Sequence, residues 1–336
     1  MQLLVLSGDA VRAVLGYAKC ADAMRDVLAA RARGEVFQPL RSVLKPDGAT
    51  GLMALMPSYQ AGAGYGLKAI CIVPGNPAAG LDSHQGIVLL SSPDTGEPLA
   101  VLNASAVTEI RTAAVSAVAT GLLARKDADV LAIVGTGVQA RSHLMAIAAT
   151  RVLSEVRIAG SASARAAKFA ADVAPAALAE VGASAVPVIA CESARTAVDG
   201  AAIVVTATSS ATPVLEAGWL SPGTHVNAVG ACLPHTRELD TQTVAQAALF
   251  ADSRESLLAE SGDYLLAAAD GAVGPGHIRA EIGDLLAGLA PGQRRRDESE
   301  ITIFESLGLA VEDLAAATLA YQAARDAGTG AWVDFD

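Results

Sequence analysis

The chain has few aromatic residues, a deficit of positive charge and no long uninterrupted apolar run. Only 4% of its 336 residues are aromatic against 52% apolar in total, so any core must be built mainly from Ala, Val and Leu. Lys and Arg number 24 against 35 Asp and Glu, a formal net charge of −11. That sign opposes the neutralisation of phosphates, and nucleic acid is not an expected partner. No stretch approaches the roughly 18 consecutive apolar residues of a membrane span, because Ala201–Leu215 and Ala217–Thr236 are broken by Thr, Ser, Pro, Gly or His, so no membrane is expected as a partner. Cys20, Cys71, Cys191 and Cys232 show no C-x-x-C spacing, and His84, His143, His225, His235 and His277 do not fall beside them. Neither a disulfide framework nor a metal site is expected. No basic leader precedes the first apolar run, and Asp9 and Arg12 stand where a secretion signal would still be hydrophobic, which reads as a cytoplasmic protein.

What is present points to two domains. Between Asp129 and Ser253, short and mostly uncharged runs alternate with helical segments such as Gln139–Thr150 and Ala164–Val181. The runs are Val130–Val134, Val156–Ala159, Val186–Ile189, Ala201–Thr206, His225–Val229 and Ala248–Ala251. This is the pattern of strands covered on both faces, an α/β doubly wound parallel sheet of the kind that binds nucleotides. Before Lys126 the pattern changes to a helix around Met24–Arg33 and strand-like pieces at Gly51–Pro57, Gly66–Val73, Gln85–Ser91 and Pro98–Asn103, separated by Gly and Pro turns. That is an antiparallel or mixed α+β unit, and a helix from about Ala104 to Arg125 leads out of it. The polar run Pro291–Glu300, with three consecutive arginines, reads as a solvated loop in preference to an anion site. The apolar helix Leu307–Ala327 needs a partner and is expected to lie against the first domain.

Val130-Leu-Ala-Ile-Val runs directly into Gly135-Thr136-Gly137-Val138-Gln139-Ala140. In such a G-x-G-x-x-A turn the first glycine permits the tight bend and the second lets backbone amides approach a pyrophosphate. A small third residue lets the helix pack on the strand, and the helix N-terminus faces the anion. An NAD enzyme ordinarily carries an acid after its second strand for the ribose 2′-hydroxyl. Here Ser161, Ser163 and Arg165 follow instead, a set that tolerates a 2′-phosphate; NADP(H) is therefore the preferred cofactor, with NAD(H) possible. The alternative is that Arg165 only covers its helix face. Thr108-Glu-Ile-Arg111 reads as a helix start with Thr108 as N-cap and Arg111 in the first turn, where a cation opposes the helix dipole and calls for an anion. A ligand carboxylate or Glu109 could answer it. On the ligand reading, removing Arg111 should reduce turnover and change stability little.

Gly66-Leu-Lys68, Arg111-Thr112-Ala-Ala114, the glycine turn, Asn227-Ala-Val229-Gly230, Arg237-Glu-Leu-Asp240, Glu260-Ser-Gly-Asp263 and Ser306-Leu-Gly308-Leu-Ala-Val-Glu-Asp313 resemble, in order and spacing, the ornithine cyclodeaminase/mu-crystallin family. The resemblance covers nearly the whole chain. It implies a Rossmann domain (126–305) inserted into a substrate-binding and dimerisation domain made of 1–125 plus 306–336, a homodimer, and a nicotinamide cofactor facing an α-amino or α-imino acid. It assigns Arg41, Lys68 and Arg111 to the substrate carboxylate, and Lys68 and Cys232 to the catalytic centre. The expected cofactor-binding set comprises Thr112, Gly135, Thr136, Gly137, Val138, Gln139, Ser161, Ser163, Arg165, Thr206, Ala207, Thr208, Asn227, Val229, Ser306 and Gly308.

Two departures bear on the reaction. Where cyclodeaminases and related alanine dehydrogenases carry an acid/base Asp, this chain has Cys232, and where ornithine cyclodeaminases place a Glu it has Ala54. Cyclising ornithine must deprotonate an ammonium group and expel ammonia, which requires a positioned base. A cyclic ketimine can arrive protonated and needs only a hydride at carbon. The expectation is therefore an NAD(P)H-dependent reductase of small cyclic imino acids, of the pyrroline-2-carboxylate or piperideine-2-carboxylate type. The alternatives are an ornithine cyclodeaminase or amino-acid dehydrogenase, and a mu-crystallin-like ligand-binding protein without turnover. Cys232 is either a packing residue or a proton donor.

Overall fold

A computed structural model describes residues 1–336, the side chain of Pro77 excepted. It comprises two compact units, Met1–Arg111 with Gly308–Asp336, and Thr112–Leu307. The second unit is an eight-stranded sheet in which every pairing is parallel. From one edge to the other the strands are Val188–Ala190, Glu155–Ala159, Val130–Val134, Ile203–Thr206, His225–Ala228, Thr302–Glu305, Ala248–Ala251 and Ile278–Glu281. Strand order reverses between Val130–Val134 and Ile203–Thr206, the place in a doubly wound sheet where a ligand crevice opens. With so few aromatics, the two largest fully buried side chains are Phe250 and Phe304, paired in register on adjacent strands. Truncating either to Ala would remove roughly 3–5 kcal/mol.

Two local features depart from the sequence reading. The helical stretch Ala164–Val181 is interrupted: α-helix Ser163–Lys168 passes through a π-helical turn, Phe169–Val173, before Ala174–Glu180. Pro175 lacks the N–H that an unbroken α-helix would use there, so the turn widens. Thr302–Glu305, a strand the sequence reading lacks, follows the Pro291–Glu300 loop and is inserted between His225–Ala228 and Ala248–Ala251.

The first unit holds a mixed sheet ordered Ala331–Asp334, Gln2–Leu6, Pro98–Asn103, His84–Ser91, Gly64–Ile72, Leu52–Gln60 and Val36–Phe37, with Ser42–Leu44 also paired to Leu52–Gln60. Only the pairing of Gln2–Leu6 with Pro98–Asn103 is parallel. The period-2 alternation separates two faces. One carries Ala54, Met56, Lys68, Ile70, Val88, Leu90 and Leu102, all buried. Helix Ala310–Ala327 packs on strands of this sheet and on helix Tyr17–Ala32, as expected for an apolar C-terminal helix, and it ends at Gly328 in the left-handed region. The opposite face leaves Val5, Met53, Leu55, Tyr65 and Ile87 between 36% and 54% exposed.

Helix Ala104–Leu123 begins where Asn103 Oδ1 accepts from the Ala106 amide at 2.9 Å. Asn103 is thus the cap and Thr108 is not, which moves Arg111 out of the first turn and removes the dipole argument for an anion beside it. By length and composition this helix, broken up by Thr, Ser, Glu109 and Arg111, is long and apolar enough to cross a membrane, contrary to the run-length reading. In this protein 83% of that window is buried, as in a core helix.

Candidate active site

In the second unit the Val130–Val134 strand turns at Gly135, whose φ of +141° suits glycine and where a Cβ would collide with the Ala207 carbonyl. The turn is pinned by the Gly135 amide donating to Ala159 O at 2.9 Å. Gly137 is the N-cap of helix Val138–Thr150; no side chain caps that end, and a Cβ built on Gly137 would meet nothing within 4 Å. Ala140 is fully buried where the helix closes on the sheet. Open space, uncapped amides and a positive dipole end fit a dinucleotide pyrophosphate held by Gly135 to Gln139. Ser161, Ser163 and Arg165 follow the Glu155–Ala159 strand and are exposed, with no acid among them. Across the switch point, Thr206, Ala207 and Thr208 leave the neighbouring strand, and the Ala207 amide donates to Val134 O at 2.9 Å. Val229 and Ser306 are buried at the next strand ends. The Asn227 side chain instead reaches Thr120 Oγ1 at 2.9 Å, inside the unit. Thr112, also buried, is the unit's first residue.

Cys232 lies in the loop after His225–Ala228, its Sγ 3.3 Å from Val229 O and 3.7 Å from Ser306 O. Below that loop four carboxylates are buried: Glu238, Asp252, Asp263 and Glu305. Burial first, and then the negative charge of Asp263, Glu238 and Asp252, hold the Glu305 carboxyl well above its ordinary value. Asp263 is pushed up to about 7, by burial above all.

In the first unit, Lys68 and Arg111 meet the final helix. Lys68 Nζ is 2.7 Å from Asp313 Oδ2; Arg111 Nε donates to Asp313 Oδ1 and Arg111 Nη1 to Glu312 Oε2, each at 2.9 Å. All four side chains are buried. Glu109 accepts from Arg12, at 2.9 and 3.1 Å. Arg41 Nη2 donates to Gly308 O at 3.0 Å, and a Cβ on Gly308, whose φ is +82°, would stand 2.5 Å from Arg111 Nη1. Gly308 therefore belongs to this cluster of cations. The cluster brings three cations, Arg41, Lys68 and Arg111, beside two carboxylates, Glu312 and Asp313. Burial lowers Lys68 to about 8; Asp313 raises it, and Arg111 and Arg41 oppose Asp313.

A family model described as the ornithine cyclodeaminase/mu-crystallin family matches residues 1–328. The chain belongs to this family. Ketimine reductase mu-crystallin of Mus musculus is 40% identical over 289 residues, 86% of this chain and 85% of that protein. The structure of Thermococcus litoralis Delta(1)-pyrroline-2-carboxylate reductase in complex with NADH and L-proline superposes with a TM-score of 0.91 at 35% identity, covering 98% of this chain and 99% of the other. An archaeal alanine dehydrogenase dimer with bound NAD gives 0.90 at 31% identity, with both chains fully covered.

Within this ornithine cyclodeaminase/mu-crystallin member, sequence reasoning missed the carboxylates that hold the cations. Glu312 and Asp313 stood inside a quoted motif without a role. The available signal was an adjacent acid pair in the first turn of a helix that stays free of charge from there to Arg325, where Glu312 also accepts from the Leu309 amide at 3.1 Å. Because Arg111 neutralises two buried carboxylates, the expectation that its removal leaves stability unchanged is corrected: stability must fall.

Proposed function

We propose that this NAD(P)-dependent oxidoreductase, which acts on C–N and C=N bonds, reduces small cyclic imino acids of the pyrroline-2-carboxylate or piperideine-2-carboxylate type to the L-amino acid. The observation that carries the reading is a cluster of three cations beside two carboxylates in a chain whose position 232 offers a thiol where a deaminating enzyme needs an acid. The names of the mouse ketimine reductase and the Thermococcus litoralis pyrroline-2-carboxylate reductase support it.

Arg41, Lys68 and Arg111 hold the substrate carboxylate and thereby fix the α-carbon next to it. Glu312 and Asp313 hold Lys68 and Arg111 in place before substrate arrives, so little side-chain freedom is lost on binding. Gly135 to Gln139 bind the pyrophosphate, and Ser161, Ser163 and Arg165 receive a 2′-phosphate, which favours NADP(H) over NAD(H). The nicotinamide supplies the hydride when bound. The imine nitrogen arrives protonated, so no side chain need abstract a proton, and Cys232 packs against Val229 O and Ser306 O without a proton-transfer duty. A homodimer is part of the reading: the exposed apolar sheet face through Val5, Leu55, Tyr65 and Ile87 is the kind of surface a second copy covers, and the archaeal relative is named as a dimer. A cytoplasmic setting agrees with four cysteines that are free thiols.

The test follows NADPH oxidation with pyrroline-2-carboxylate, piperideine-2-carboxylate, and pyruvate plus ammonium, alongside ammonia release from ornithine. Cys232→Ala should keep most of the imine reductase activity. Fast pyruvate amination with slow imine reduction would favour the dehydrogenase reading, and binding without turnover a mu-crystallin-like binding protein.

A further inference from the structure

The motifs Arg237-Glu-Leu-Asp240 and Glu260-Ser-Gly-Asp263 take no part in the chemistry above, yet they converge on one buried carboxylate. Glu238 is 0% exposed. Its Oε1 accepts from the Thr208 amide and its Oε2 from the Gly230 amide, both at 2.6 Å. Thr208 follows the Ile203–Thr206 strand and Gly230 follows His225–Ala228, the two strands beside the switch point on the second half of the sheet. Glu238 is itself anchored: Asp263 Oδ1 accepts from the Glu238 and Leu239 amides at 2.8 Å, and Glu238 O accepts from the Val214 and Leu215 amides at 2.7 and 3.0 Å. There is no slack at the junction. A Cβ on Gly230 would strike the Thr208 carbonyl and stand 2.7 Å from the Glu238 carboxyl carbon.

We infer that Glu238 is a positioning residue that ties these two loop ends together and so sets the floor on which the nicotinamide half of the dinucleotide rests. The inference builds on the dinucleotide reading above. The glycine turn and the Ser161–Arg165 segment serve the pyrophosphate and the adenosine half, on the other half of the sheet, so Glu238 acts on one end of the cofactor only. A carboxylate is the side chain the geometry requires, because each oxygen faces an N–H. An amide offers one acceptor and turns its NH2 against the second donor.

Glu238→Gln tests this without changing size. Affinity for NADPH and NADH is read by nicotinamide fluorescence, and affinity for the nicotinamide-free fragments, ADP-ribose and its 2′-phosphate, by calorimetry. The expected result is roughly 10- to 100-fold weaker binding of the intact dinucleotide, from one unsatisfied buried donor at the loop, with the fragments bound as tightly as by the wild type. Equal loss for dinucleotide and fragment would reveal a general structural lesion and overturn the inference, as would unchanged affinity for both. If the variant does not fold, hydrogen exchange on the wild type decides. The Thr208 and Gly230 amides should exchange as slowly as those of the flanking strands, and fast exchange at both overturns the tie. A wild type that binds the fragments and neither dinucleotide would defeat the underlying cofactor reading instead.

Discussion

Asp313→Asn isolates the electrostatic role of the carboxylate that Lys68 and Arg111 share. The amide keeps an oxygen for Arg111 Nε but removes the negative charge 2.7 Å from Lys68 Nζ. Lys68 already sits near 8, with burial lowering it and Asp313 the main influence raising it. Removing an opposite charge at that range shifts a buried group by about 1–3 units. Lys68 in the variant then loses its proton below neutrality. On the clamp reading, the charged form of Lys68 is the active one, so the alkaline limb of kcat/KM moves to lower pH by the same amount. At a pH near 8, where half of Lys68 is protonated in the wild type, kcat/KM falls by roughly five- to five-hundredfold. The assay is kcat/KM for pyrroline-2-carboxylate from pH 5.5 to 9.5 for both proteins. Ionisation of the imine is common to the two profiles and cancels in the comparison. An unmoved alkaline limb would refute the reasoning, since the charge of Asp313 would then have no bearing on the group that titrates.

Three further outcomes are expected. Arg111→Ala should lower kcat/KM by roughly ten- to 150-fold and, by removing from the core the guanidinium that Glu312 and Asp313 share, lower unfolding free energy by about 3–5 kcal/mol, read by urea titration. Arg165→Glu should raise the KM for NADPH well above that for NADH, because a carboxylate would then face the 2′-phosphate; a wild type that already prefers NADH would contradict the assignment of Ser161, Ser163 and Arg165. Glu305→Gln should stabilise the protein at pH 8 and not at pH 4. Burial raises the folded-state value of Glu305 above its unfolded value, so folding holds the proton more tightly and wild-type stability declines as pH climbs past the unfolded value. The gain is read as a Tm higher than that of the wild type at pH 8 and absent at pH 4.

How much of this was legible follows from how local each feature is. The glycine turn needed only residues adjacent in sequence, and strands Val130–Val134 and Ala248–Ala251 occur where their apolar runs predicted them. The start of helix Ala104–Leu123 was read correctly but its cap was not, because two residues able to cap, Asn103 and Thr108, lie five apart, and the choice between them is made by the strand that delivers Asn103. Thr302–Glu305 is a four-residue segment whose neighbours in the sheet come from positions 225–228 and 248–251, so its place in the sheet is set by residues far away in the chain. The clamp shows the same limit. Arg111 and Lys68 could be named as cations in want of an anion, but the carboxylate that Arg111 Nε meets lies 202 residues further on. Only the fold of the first unit brings them together.

The central claim, imine reduction in place of deamination, is tested most directly by one comparison on the unmodified protein: the rate of NADPH oxidation with pyrroline-2-carboxylate against the rate of ammonia release from ornithine. The account predicts steady NADPH oxidation yielding L-proline and no enzyme-dependent ammonia. Ornithine-dependent ammonia release at a rate comparable to imine reduction would contradict it, because the chain would then be carrying out base-dependent chemistry with Cys232 and Ala54 where the acids should be.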